Sequence, residues 1–115
     1  MAIPPSTHQA LCDHFRGLGT WITVFTGPGG TTGANEAVLP SGRKQTVFPA
    51  ASLAAPSVTQ GSTVNIPVSN GTYTEGGIFS AESGGIFRGS EAFSDGIVMV
   101  SGSGSSIDVT PMLKA

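Results

Sequence analysis

Charge is scarce in this sequence. Asp, Glu, Lys and Arg make up 10% of its 115 residues, against roughly 25% in an average soluble domain. A long solvent-facing helix or a coiled coil is excluded, because each needs charge along its outer face. Five Lys and Arg stand against seven Asp and Glu, a net charge of −2, which excludes an electrostatic nucleic-acid binder. Cys12 is the only cysteine, so no internal disulfide can staple the fold. No apolar run approaches the roughly 18 residues of a membrane helix. Met1 to Thr7 show neither a basic start nor an apolar stretch. The expectation is a chain made in a cytoplasm without a secretory leader.

Small and hydroxylic residues fill the space: 17 Gly, 8 Pro, 14 Ser and 12 Thr. Leu, Ile, Val and Phe total 27, above the roughly 20% below which chains stay disordered. With Met, Trp and Tyr the large apolar side chains reach 32, a thin core for one domain. The expected fold is a single mainly β domain over 1–115, a small antiparallel β-sandwich or barrel with one short N-terminal helix. A core this thin asks for stabilisation from neighbouring subunits.

Residues 1–5 read as an arm, extended by Pro4 and Pro5. The segment 6–18 reads as the helix: Ser6 as N-cap, Gln9 completing a capping box, and Leu11, Phe15 and Leu18 forming one apolar stripe. Gly17 or Gly19 is expected to close it in a left-handed cap. The β-rich body spans 20–115. Thr20 to Thr26 and Lys44 to Phe48 read as strands around a Gly-rich loop. The low-complexity stretch 49–62 reads as an extended edge or a linker lying across a neighbour. Val64, Ile66 and Val68 alternate like a strand, and Asn70-Gly71 signals a hairpin turn. Residues 76–83 (GGIFSAES) and 84–91 (GGIFRGSE) are an eight-residue repeat, read as a hairpin turning at Glu82 to Gly85. Ile97 to Val100 reads as a central strand buried on both faces. Ile107 and Val109, with Met112 or Leu113 as a further candidate, belong to a last strand.

No residue set carries chemistry. The loop Gly27-Pro28-Gly29-Gly30-Thr31-Thr32-Gly33 invites a phosphate cradle but lacks the Gly-Lys-Ser/Thr ending and a following helix. His8, Cys12 and His14 fall short of a zinc site. No Ser has a nearby base in a nucleophile elbow. The acids are scattered, so a small hydrolase using Glu36, Glu75 or Glu82 is the weakest reading. Trp21 reads as a core residue and Tyr73 as the better surface aromatic. Catalytic, cofactor-binding and metal-binding residues are all expected to be absent, and the chain is not expected to be an enzyme.

A layout of motifs runs through most of the chain from about residue 10. It comprises Val24-Phe25-Thr26, then Pro28 to Glu36 with Gly33-Ala34-Asn35-Glu36 at its end. Next comes a basic and polar run from Arg43 into Phe48, followed by an Ala/Ser stretch. Gly77-Ile78-Phe79-Ser80-Ala81 is then paired with Gly85-Ile86-Phe87. This layout resembles a group of short virion proteins from tailed phages of actinobacteria, usually labelled tail fibre or minor tail proteins. The Tyr-Ala-Arg run of that group is here Ser41-Gly42-Arg43. The resemblance implies a virion structural protein. The expected role is a capsid decoration (cement) protein on the outside of the head. It would be a homo-oligomer, expected as a trimer, bound to the major capsid protein without cofactors, nucleic acid or membrane. Contact residues are expected in the arm and the 49–62 stretch: Ile3, Pro4, Pro5, Leu53, Pro56 and Val58. The alternative is a minor tail or fibre-associated protein that binds tail proteins and adheres to the host surface through loops 27–33 and 101–106.

Overall fold

A computed structural model describes all residues, 1–115. The elements are α1 (Pro5–Arg16), β1 (Trp21–Phe25), β2 (Lys44–Gln45), β3 (Val58–Gln60), β4 (Val64–Pro67), β5 (Gly71–Tyr73), β6 (Glu75–Phe79), β7 (Phe87–Ala92), β8 (Val98–Val100), β9 (Ser106–Val109) and β10 (Met112–Lys114). The fold is mainly β, antiparallel throughout, with one short helix. Its largest sheet has the order β2-β1-β6-β7, beside the pairs β10-β3, β4-β9 and β5-β8. The sheets pack without closing into a barrel. No helix is long and apolar enough to cross a membrane.

The helix begins two residues earlier than its sequence signals. Pro4 is the N-cap and Pro5 the first helical residue, with no side-chain cap. Proline suits that position because its missing N–H is one the helix leaves unpaired anyway. Ser6 is thus inside the first turn, and Gln9 donates to the Ala51 carbonyl instead of completing a capping box. The stripe is also rotated: Cys12 is fully buried and Leu11 is 53% exposed. Gly17 closes the helix in right-handed conformation, φ −83°, so no left-handed cap forms.

Residues 64–79 and 87–109 form one long antiparallel ribbon with the β6–β7 hairpin at its tip. Its register is stepped. Between Glu75↔Ala92 and Tyr73↔Val98 the outgoing strand advances two residues and the returning strand six. Between Gly71↔Val100 and Pro67↔Ser106 it advances four against six. The surplus residues loop out around 93–97 and 101–105. Asn70-Gly71 therefore makes no hairpin; Gly71 opens β5 and pairs with Val100. The run Ile97 to Val100 is no central strand either. It contributes β8, with β5 as its partner, and Met99 is 82% exposed. Lys44 to Phe48 shortens to a two-residue strand, although Phe48 is buried.

The main core gathers Cys12, Ile22, Val24, Phe48, Val64, Ile66, Tyr73, Ile78, Ile107 and Leu113. The 49–62 stretch does not reach away from the body. It folds back, with Ala51, Ser57 and Thr59 buried and Val58 paired with Lys114. Alternation along β1 sends Ile22 and Val24 into this core and leaves Thr23 and Phe25 on the opposite face of the sheet.

Candidate functional site

That opposite face carries the densest set of polar and aromatic contacts. Phe25, Phe79 and Phe87 form a cluster, with ring centroids 6.4 Å apart for Phe25–Phe79, 5.9 Å for Phe25–Phe87 and 5.4 Å for Phe79–Phe87. The eight-residue repeat accounts for the last pair, because its two Phe residues fall opposite each other across the hairpin. Glycines make room for the rings. A Cβ on Gly77 would meet Phe25 Cε1 at 2.5 Å, and one on Gly33 would meet Phe87 at 3.0 Å and Phe79 at 3.1 Å.

The Gly-rich loop closes over this cluster. Glu75 Oε1 accepts from the Gly29 N–H at 3.0 Å and from Ser90 Oγ at 2.8 Å. Gly33 and Ala34 N–H both donate to the Gly29 carbonyl. Asn35 Nδ2 donates to the Pro28 carbonyl, and Glu36 bridges to Phe25. The loop's N–H groups at Gly29, Gly33 and Ala34 are thus spent within the protein and are not offered to a phosphate.

Arg43 fastens the loop to the hairpin tip. Its Nε and Nη2 donate to the two Glu36 carboxylate oxygens, each at 2.8 Å. Its Nη1 donates to the carbonyls of Ala81 at 2.9 Å and Gly84 at 2.7 Å. The guanidinium carbon lies 3.6 Å from the Phe79 ring centroid. The Arg43 side chain is only 9% exposed. Burial pushes the Glu36 carboxyl up, but hydrogen bonding and the Arg43 charge outweigh it and hold it below the usual glutamate value. Thr23 Oγ1 is buried nearby without a hydrogen bond of acceptable geometry, so the lowering belongs chiefly to Arg43. A general acid needs the opposite shift. Of the other two acids, Glu75 is engaged as above and Glu82 is exposed at the hairpin turn.

A second region joins the two stretches expected to make contacts. The His8 Nδ1 lies 3.1 Å from the Ala115 backbone oxygen, and Ala115 exchanges both backbone hydrogen bonds with Ser57. Asp13 accepts from the Ala51 N–H at 2.9 Å and from Arg16 at 2.8 Å. These two hydrogen bonds, the backbone one first, hold Asp13 below the usual aspartate value. The helix that follows the arm therefore packs beside the 49–62 stretch and β10. Ile3, Pro4, Pro5, Leu53 and Pro56 are exposed, and Val58 is half-buried in β3.

Trp21 is half-buried at the start of β1. Tyr73 is no surface aromatic: it is buried, and its hydroxyl donates to the Ser69 carbonyl at 2.6 Å. No group of three or more His, Cys, Asp or Glu stands close enough to hold a metal ion. Sequence reasoning missed the Arg43–Glu36 pair, although Glu36 closes a quoted motif and Arg43 opens the next. It also missed exposed Val38, Val47, Ile86, Met99 and Met112, whose alternating or isolated placement gave no stripe. No family model matches the chain, and no curated protein or solved structure shows significant similarity to it.

Proposed function

We propose that this chain is a structural protein of a tailed-phage virion, most suited to the outer face of the head as a decoration (cement) protein. It would act by non-covalent contacts between subunits and with the major capsid protein. The observation that carries the reading is the surface. Ten large apolar side chains are exposed, among them Ile3, Leu11, Leu53, Ile97 and Met99. The accessible area is 6380 Å², against about 5,800 Å² for a compact monomer of this mass. The surplus is close to one partner's share of a modest interface. Such a surface suits a subunit completed by its neighbours. The head is preferred to a fibre because the molecule, 49 × 27 × 24 Å, holds no repeated shaft.

Quantitative mass spectrometry of purified particles tests the reading, as copies of this chain per major capsid subunit. A ratio near one, or a simple fraction of it, is expected. A handful of copies per particle moves the protein to the tail and to host adhesion. Absence from particles overturns the virion role.

A further inference from the structure

A cleft at the end of the four-stranded sheet plays no part in the Arg43 fastening. It opens between the turn Thr26 to Pro28 and the looped-out segment Phe93 to Ile97, with Thr74 and Glu75 between them. Its volume is about 410 Å³. Its walls are apolar at Pro28, Phe93 and Ile97, and Ile97 is 65% exposed. Glu75 is the one charged residue in its lining. Glu75 uses only Oε1 for Gly29 and Ser90, which leaves Oε2 free to accept; Asp95, outside the lining, is exposed in the same looped-out segment.

The helix end of the chain has the complementary features. Ile3 is 39% exposed and Met1 wholly so, so the arm offers apolar surface although Ile3 rests in part on its own body. Pro4, the N-cap of α1, sits at φ −70°, ψ 156°, an extended backbone whose φ the ring already fixes, so covering it costs little conformational entropy. Pro4 and Pro5 carry no N–H to leave unpaired when covered. Lys114 is exposed on β10 and makes no ion pair. It lies at the same end, since His8 of α1 bonds to Ala115.

We infer that the arm of one copy docks in this cleft of a second copy. Ile3 enters between Pro28, Phe93 and Ile97. The Ala2 and Ile3 N–H groups face the free oxygen of Glu75, and the Lys114 end meets the acidic rim. Arm and cleft are different surfaces, so the contact is head-to-tail and generates a ring when its rotation closes. The inference rests on the assembly reading above but not on where in a virion the assembly sits.

Light scattering on the eluting full-length chain tests it. The unaltered protein is expected to be an oligomer. Ile3→Asp and Ile97→Asp are each expected to give monomers with unchanged circular dichroism. Mixed together, they should recover a one-to-one dimer and nothing larger, because one intact arm and one intact cleft remain. A monomeric parent protein overturns the inference, as does an oligomer indifferent to Ile3→Asp or a mixture that fails to pair. If Ile97→Asp unfolds, Ile3→Cys mixed with Ile97→Cys replaces it, with Cys12 buried and out of reach. An inter-chain disulfide is expected on oxidation, and its absence overturns the inference. Copy number in particles is blind to all of these outcomes, so the two readings fail separately.

Discussion

Arg43 concentrates more interactions than any other side chain here. Four of its five N–H donors are placed, and its flat face covers Phe79. Removing it strands the Glu36 carboxylate and two carbonyls. Arg43→Ala is therefore expected to cost about 2–3 kcal/mol in urea unfolding, the lower part of the range for a partly buried pair. Arg43→Lys keeps the charge but loses the fork and the stacking, and should recover less than half of that. The same pair sets a pH dependence. Because the folded-state value for Glu36 is lowered, its contribution is fully present above the ordinary value of 4.5 and is lost as pH falls through the lowered one. Asp13 acts in the same direction from its ordinary value of 3.8. Urea midpoints measured from pH 6 down to pH 3 should fall, and fall less steeply in Arg43→Ala. Gly77→Ala drives a methyl into Phe25 at 2.5 Å and is expected to cost about 1–3 kcal/mol as an overpacked core site, read in the same titration.

At the scale of elements, legibility followed local chemistry. The helix, β1 and the β6–β7 hairpin were readable because apolar spacing and the Gly-Gly-Ile-Phe repeat specify them within a few residues. The partners of the short strands were not. Asn70-Gly71 looks like a turn, yet the chain does not reverse there: the ladder resumes at Gly71 because Val98 to Val100 is available to pair. Ile97 to Val100 looks like a core strand because hydropathy cannot reveal that one face stays uncovered. Ile3, Leu53 and Pro56, expected as contacts, are exposed. The Arg43 fastening was illegible: Glu36 is seven residues away, but the carbonyls of Ala81 and Gly84 lie 38 and 41 residues on and meet Arg43 only in the closed fold. A two-stranded ribbon is marginal alone. Hydrogen exchange should therefore be faster in β5 and β8 than in β1 and β6, whose amides lie inside the four-stranded sheet. Equal protection across the four strands would show that β5 and β8 gain support elsewhere.

The whole molecule is longer than its size requires. Its radius of gyration is 14.7 Å, against about 13 Å for a compact chain of this length. Ribbon and tip draw it out, and the exposed apolar side chains lie on this drawn-out body. A monomer of this shape has little surplus stability, and binding a neighbour adds stability by mass action. The thermal midpoint is accordingly expected to rise with protein concentration, and to become concentration-independent when residues 1–3 are deleted. Since those residues are exposed, the truncated protein should still unfold cooperatively.

The stepped ribbon gives the chain built-in slack. After each looped-out segment the ladder resumes in a fresh register, and side chains beyond it return to their own faces. Length added within 93–97 or 101–105 is absorbed locally and does not propagate as a slip along the strand. The ribbon is thus a frame that can carry foreign peptides at two sites while its core is left undisturbed. Of these, the 101–105 segment is the freer mount, because it lies outside the cleft.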